Sequence, residues 1–333
     1  VALLHDVGHP PTSHTIEPAL HAYAGIDHLC LGVFLIRESE IADALNDNGI
    51  SPRQVADILQ RRADDPILQL ISDFIDSPLD IDKTDYLIRD AHFSGAQLGL
   101  FPAERVLLTS RVVRQDGEYL RAFAVKALHS LEALILSRNW MFSDLYFHHT
   151  VRIAECLIDR ATYLNMKEQA LTLNECVGLF TRMTDEDLYR WLAASELSVV
   201  REYIQRIRHR RLFKVILSRR LHAFPEDTRD RLLALATDME ALIQLENELA
   251  GEPGRALIDI INPDVGADKI TSIPLIVSEE GEPRIVSMSD TEEGRPLVAV
   301  LEQQQRTMPT VRVYSDHRRA SVVTERFDRL FPE

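Results

Sequence analysis

The amino-acid sequence predicts a mainly α-helical protein with a small α/β lobe at its C-terminal end. Apolar residues recur at helical spacing over most of the first 250 positions. From Gly254 onward, short β-like runs alternate with turn residues instead. The 333 residues, 45% hydrophobic and 27% charged, suffice to bury a sizeable core, which excludes a disordered chain and a disulfide-stapled miniprotein.

Residues 1–165 read as a helical body. Val1-Ala-Leu-Leu reads as the end of a buried helix that Gly8, Pro10 and Pro11 stop, since proline lacks the amide proton and clashes with the preceding turn. His28 to Ala44 sets Leu29, Val33, Phe34, Ile36 and Ile41 at helical spacing, and Ser51-Pro52 has the form of an N-cap with proline at the first helical position. Val106-Leu-Leu, Val112-Val113 and Tyr119-Leu-Arg-Ala-Phe, turned by Asp116-Gly117, read as a hairpin, and a long helix is expected over about 125–162. Residues 166–253 read as a helical annex, with a capped start at Thr184-Asp-Glu-Asp and a helical period from Arg229 to Leu249. Residues 254–333 read as the α/β lobe. Its β-like runs are Leu257–Ile261, Arg284–Ser287, Leu297–Leu301 and Val311–Tyr314, with Gly281-Glu-Pro and Gly294-Arg-Pro between them and a last helix from Arg319 to Leu330.

Several function classes are disfavoured. No run of about 18 apolar residues exists, so no membrane-spanning helix is expected. Lys plus Arg number 37 against 52 Asp plus Glu, and a net charge of −15 repels a phosphate backbone, so nucleic acid is disfavoured as the main partner. Cys30, Cys156 and Cys176 are odd in number, widely spaced and in apolar settings, which fits reduced thiols and a cytoplasmic location. The chain starts with Val in mid-pattern and reads as a fragment. Against the acidic background, Arg201, Arg206, Arg208, Arg210, Arg211, Lys214, Arg219 and Arg220 share the 201–220 stretch with one acid, Glu202. Two readings stand: a solvated face with intramolecular partners, or an anion site.

Five of the twelve histidines (His5, His9, His14, His21, His28) fall in the first 28 residues. His5 and Asp6 are adjacent where burial is expected. An unpartnered buried carboxylate costs several kcal/mol, so a cation is its natural occupant, and mixed nitrogen and oxygen donors suit Mn, Fe, Zn or Mg. A second cluster places Asp80, Asp82, Asp85 and Asp90 among Leu79, Ile81, Tyr86 and Leu87. Carboxylates favouring the positive end of a helix are one reading. The other is a pocket wall for a phosphorylated sugar, since Lys83, Tyr86 and Asp90 recur at i, i+3 and i+7 on one face. Met141-Phe142, Tyr146-Phe147, Trp140 and Trp191 read as packing residues, and Cys30 as structural, because it lacks a cationic helix-start setting and a metal-based site explains the chemistry better.

Leu4-His-Asp-Val-Gly-His-Pro-Pro-Thr-Ser-His14 resembles the signature of the HD-domain phosphohydrolases, and Pro78 to Asp90 resembles the segment carrying that family's last metal ligand. Arg138-Asn, Tyr146-Phe-His148, Arg210-Arg-Leu-Phe-Lys214 and Ile258-Asp-Ile-Ile-Asn-Pro-Asp-Val-Gly266 resemble, in the same order, segments of the deoxynucleoside triphosphate triphosphohydrolase branch. The resemblance implies an HD-domain helical bundle holding one divalent metal ion through His5, Asp6 and Asp82. The family pattern adds a histidine a few dozen residues upstream, before this sequence begins. His28 takes the place of the catalytic histidine and Glu17 that of the carboxylate orienting it. His9 and His14 face the phosphates, Lys83 and Arg138 hold phosphate oxygens, and Tyr86, Asp90, Tyr146 and His148 surround the sugar. Arg210 and Lys214 fall in the branch's regulatory region, implying a nucleotide held between subunits of a homo-oligomer. The implied reaction is attack at the α-phosphorus, releasing nucleoside and triphosphate. Metal-lowered water pKa, cationic neutralisation of the transferring group and a histidine acid suit that chemistry. Two alternatives remain: an HD-type phosphatase or phosphodiesterase acting on another nucleotide, and a nucleotide-sensing or nucleic-acid-binding protein with a vestigial site. Retention of His5, Asp6, Asp82, Glu17 and His28 together argues against the second.

Overall fold

Helix-forming periodicity dominates the chain, and the computed structural model is accordingly mainly α with small sheets. It describes residues 1–77, 79–115, 117–262, 272–278 and 284–332, the side chain of residue 305 excepted. Pro78, Asp116 of the expected turn, Pro263–Gly266 of the family-like segment and the Gly281-Glu-Pro turn lie outside the described residues. In chain order the helices are α1 (Glu17–Ala24), α2 (His28–Glu38), α3 (Glu40–Asp47), α4 (Pro52–Leu59), α5 (Pro66–Ile75), α6 (Ile81–Ser94), α7 (Ala103–Thr109) and α8 (Leu128–Met141). They continue with α9 (His149–Gln169), α10 (Leu173–Phe180), α11 (Asp185–Ala193), α12 (Ser198–Arg208), α13 (Glu226–Leu235), α14 (Met239–Ala250), α15 (Gly294–Thr307) and α16 (Ala320–Leu330). The strands are β1 (Ser110–Gln115), β2 (Glu118–Ala124), β3 (Lys214–Arg220), β4 (Ala256–Ile261), β5 (Pro274–Ser278), β6 (Arg284–Ser287) and β7 (Thr310–Ser315).

The chain divides into two compact units. One comprises Val1–Ala2, Gln54–Phe147 and the described residues of Pro263–Arg306, and the other Leu3–Arg53, His148–Asn262 and the described residues of Thr307–Glu333. Where the sequence reads as three consecutive stretches (1–165, 166–253, 254–333), the compact units interleave. Short strands need hydrogen-bonding neighbours, and the C-terminal strands find theirs in two different sheets. β5 and β6 extend the β1–β2 hairpin in the order β1-β2-β5-β6, while β7 lies between β3 and β4.

In the first unit, α8 buries Leu128, Leu131, Leu134, Ile135 and Met141 against Leu79 and Leu87 flanking the start of α6 and Phe123 and Leu275 of the sheet. Asp80 caps α6 by accepting from the Lys83 amide at 2.7 Å. A Cβ on Gly99 would come within 2.4 Å of the Leu87 carbonyl oxygen, so the chain after α6 lies flush on that helix only with glycine there. In the second unit, α9 runs through a core of Leu20, Leu31, Leu157, Ala161, Leu192 and Ile204, and a second cluster joins Ile258, Val313, Val323 and Phe327. Gly8 packs backbone to backbone on α2: an added Cβ would lie 2.1 Å from the Gly32 amide nitrogen. That approach holds the histidine-rich N-terminal loop against the helix bearing His28.

Several local expectations are corrected. Val1–Leu4 is no buried helix end but a 3₁₀ turn, Ala2–Leu4, with Leu3 99% exposed. Val106-Leu-Leu lies in α7 rather than in a hairpin arm, because Val106 is needed in the α8 core. The long helix over 125–162 breaks: a π-helical turn, Phe142–Tyr146, follows α8, and His148 then caps α9. Ser39 divides 28–44 by capping α3, as serine favours caps over helix interiors. The 229–249 period is two helices, parted at Ala236–Asp238, and Asp238 caps the second. Leu297–Leu301 belongs to α15, since its spacing serves a helix once Gly294-Arg-Pro starts one. Thr184 does form the expected capping box, with Asp187. Trp140 is 44% exposed rather than a packing residue.

Candidate active site

In the second unit the N-terminal loop and the starts of α1 and α2 bring together six sequence-selected residues, His5, Asp6, His9, His14, Glu17 and His28. Glu17 is the first residue of α1 and His28 the first of α2. The Glu17 Oε1 accepts both the His28 amide, at 2.8 Å, and its Nδ1, at 2.5 Å. The Glu17 Oε2 pairs with His14 Nδ1 at 2.5 Å. Burial alone would raise the Glu17 carboxyl, but the hydrogen bonds from His14, the His28 ring and the His28 amide outweigh it and hold it well below the usual range. The bond to Glu17 raises His28 above its ordinary value, against a smaller opposing effect of burial. With Nδ1 committed to Glu17, Nε2 is the nitrogen of His28 that can pass a proton to a ligand.

His9 stacks on His28, rings 4.6 Å apart and 9° from parallel, and meets His14 edge-on at 4.6 Å. Ser13 Oγ fixes His9 Nδ1 at 3.0 Å, and His9 Nε2 lies 3.3 Å from Asp6 Oδ1. His5 Nε2 is 3.3 Å from the same Asp6 oxygen. The hydrogen bond to His9 lowers the Asp6 carboxyl, with burial opposing. Neighbouring ligands bonded at about 2.1 Å to one ion are roughly 3.0–3.4 Å apart, so the His5 and Asp6 donors fit a divalent cation in spacing and in chemistry.

The first unit assembles the residues expected to bind a sugar. The Tyr146 hydroxyl donates to Asp90 Oδ2 at 2.6 Å, and the Tyr86 and Tyr146 rings lie 6.4 Å apart. Burial first, then the Asp90 carboxylate, raises Tyr146, and burial raises Tyr86. The Arg138 guanidinium lies 4.7 Å over Phe142, and its charge acts to lower Tyr86 against the effect of burial. Lys83 forms an ion pair with Asp80, whose side chain is 1% exposed. Asp82 occupies the first turn of α6. In the second unit His148 caps α9, its Nδ1 accepting from the Thr150 amide at 3.3 Å.

The basic stretch splits. Arg206 pairs with Glu202 and Asp316, Arg219 pairs with Asp328, Arg201 bonds the Ser195 carbonyl, and Arg220 bonds Thr310. Arg208, Arg210, Arg211 and Lys214 are exposed, their side chains making no hydrogen bond or ion pair among the described residues. Cys156 and Cys176 are buried. Cys30 is exposed in the first turn of α2, its amide bonded to the Asp27 cap. None of the three is in a disulfide.

Sequence reasoning passes over Ser13, which hydrogen-bonds His9 Nδ1, and gives Asp80 no partner, where the structure pairs it with Lys83. It also misses Asp159 of α9, whose Oδ1 accepts the Ala19 amide of α1 at 2.8 Å. The adjacent charged pair Asp159-Arg160 inside an apolar helical period was the available signal.

A family model described as the HD associated region matches residues 107–332. An uncharacterized protein of Methanocaldococcus jannaschii is 27% identical over 288 residues, 86% of this chain and 57% of that protein. The human deoxynucleoside triphosphate triphosphohydrolase is 22% identical over 308 residues, 79% of this chain and 50% of the enzyme. The chain thus spans little more than half the length of these curated relatives. The crystal structure of a hypothetical protein from Aquifex aeolicus superposes with a TM-score of 0.70 at 26% identity, covering 97% of this chain and 77% of that one.

Proposed function

This chain belongs to the HD associated region family, within the HD-domain superfamily and related to its deoxynucleoside triphosphate triphosphohydrolase branch, and from that premise we propose that it hydrolyses deoxynucleoside triphosphates to deoxynucleoside and triphosphate. The observation that carries the reading is the single carboxylate of Glu17 holding two imidazoles, His14 and His28, beside the His5–Asp6 donor pair. HD-domain phosphohydrolases are generally dependent on a divalent metal. His5 and Asp6, with Asp82 as the third ligand the family likeness names, would hold that ion, which when bound lowers the pKa of water and polarises a phosphoryl oxygen.

The remaining chemistry belongs to the side chains. Glu17 fixes the His28 ring through Nδ1 and keeps it protonated to higher pH, so Nε2 delivers a proton to the departing 5′ oxygen. His9 and His14 hold phosphate oxygens, and Ser13 holds the His9 ring through Nδ1. In the first unit, Lys83 and Arg138 hold phosphate oxygens, while Asp90 and Tyr146, with Tyr86, hydrogen-bond the sugar. His148 contributes to substrate contact as the family likeness has it. Arg210 and Lys214, both exposed, contact a regulatory nucleotide between copies of the chain. A cytoplasmic location belongs to the same proposal. No single helix among the described residues is long and apolar enough to cross a membrane.

The test is product analysis with each of the four deoxynucleoside triphosphates and a divalent metal. Deoxynucleoside and inorganic triphosphate are expected. Orthophosphate or monophosphate products would instead support a phosphatase or phosphodiesterase. No hydrolysis, with steeply salt-dependent binding of single strands, would support a binding protein with a vestigial site.

A further inference from the structure

The first turn of α1 carries Glu17 but has no cap of its own. Ile16, at the N-cap position, is fully buried in the core and offers no side-chain acceptor, and Pro18 has no amide proton. Leu20 is satisfied by the Ile16 carbonyl at 3.0 Å. The Ala19 amide, one of the donors a helix start leaves without an intrahelical partner, is met from 140 residues away by Asp159 Oδ1 at 2.8 Å. The other oxygen of Asp159 accepts from Arg160 Nη1 at 2.7 Å. Arg160 in turn donates to Glu246 at 3.1 Å and to the Ile258 carbonyl at 3.1 Å, and Glu246 accepts the Ile258 amide at 2.9 Å. One buried chain of bonds therefore runs from the start of α1 through α9 to α14 and β4.

A local serine at position 16 would cap α1 without burying a charge. The fold instead buries the Asp159 side chain almost completely, an arrangement whose desolvation cost commonly exceeds its Coulombic gain. That cost lifts the Asp159 carboxyl to about 6. The return is position. Granted the hydrolytic role of the Glu17–His28 pair, on which this rests, we propose that Asp159 is a positioning residue for that pair. It anchors the α1 backbone two residues beyond Glu17, so that both Glu17 oxygens remain aimed at the His14 and His28 rings. Hydrogen bonds of 2.5 Å to two rings leave little room for displacement, and misplacement by an ångström costs catalysis heavily.

Asp159→Asn keeps an oxygen for the Ala19 amide, whereas Asp159→Ala removes it. The Ala variant is expected to lose about 10-fold or more in kcat with KM changed less than about 3-fold, and the Asn variant to stay within about 3-fold of wild type. Amide hydrogen exchange at Ala19 should speed at least about 10-fold in the Ala variant alone. In a His28→Ala background, Asp159→Ala should cost nothing further, because the interaction it serves is already gone. Equal losses in the Asn and Ala variants, an additive loss in the His28→Ala background, or full turnover despite fast exchange at Ala19 would each overturn the assignment. Should Asp159→Ala not fold, Asp159→Glu retains the charge for Arg160 but displaces the oxygen by a methylene, and the same readings apply. In a protein that hydrolyses no nucleotide the proposed function falls. The Ala19 exchange rate and the Nδ1 proton resonance of His28 then still decide the positioning role.

Discussion

Replacing Glu17 by Gln removes one negative charge and little volume, and its contacts set the size and sign of the effect. Glu17 accepts three hydrogen bonds, two of them from His28. The substituted glutamine can accept through one oxygen only, and its amide group meets one ring with a donor. The largest influence raising His28 above its ordinary 6.5 is lost, while the burial that lowers it persists. The ring then titrates at lower pH, and each unit of that fall removes tenfold of the protonated acid on the alkaline side. A drop in kcat of about 10- to 100-fold is expected near pH 8, shrinking toward pH 6, so the basic limb of the profile moves to acid. Stability changes with a defined sign. His28, raised in the fold, contributes stability that is full below 6.5 and lost as pH climbs through its folded pKa. Glu17, lowered in the fold, contributes above 4.5 and loses this as pH falls through its folded pKa. The excess stability of wild type over Glu17→Gln should therefore peak between 4.5 and 6.5. Rate profiles from about pH 5.5 to 9 and denaturant melts across the same range are the assays. A purely vertical loss of rate with an unmoved basic limb would refute the acid role assigned to His28.

Four further outcomes are expected. His28→Ala should lower turnover about 100-fold or more while retaining metal, whereas Asp82→Ala should lose the metal itself; metal analysis alongside turnover separates them. Asp90→Ala leaves the Tyr146 hydroxyl without its acceptor and should lower kcat/KM about 100-fold, erasing discrimination against analogues that lack a 3′ hydroxyl; unchanged discrimination would remove Asp90 from the sugar site. Arg160→Met strands the buried Asp159 and Glu246 carboxylates and should destabilise by about 3–5 kcal/mol at pH 7, measured by urea unfolding. A nucleoside triphosphate should raise oligomer order and activity together in sedimentation and rate assays, and Arg210→Glu with Lys214→Glu should abolish both effects.

The features legible in the sequence are those whose cause is local. Thr184 and Asp187 close a capping box three residues apart, and proline opens α4 after Ser51. The histidines of the first 28 residues stand out because the residue type is uncommon and its chemistry specific. Features whose cause lies far along the chain were not legible. Leu297–Leu301 and Leu257–Ile261 have similar composition, yet the second became a strand because β7 was there to pair with it. The aspartates of the second cluster look alike in sequence and have different fates. Asp80 caps α6 and engages Lys83, Asp85 pairs with Arg89 on the surface, and Asp90 accepts from Tyr146, fifty-six residues later. A cluster of like residues is therefore several sites whose identities are set by partners, and the same reasoning explains Asp159. An aspartate within an apolar helical period conflicts with its surroundings, and such a conflict persists in a fold when another element needs it. Here that element is the uncapped start of α1, and the residue it holds in place is Glu17.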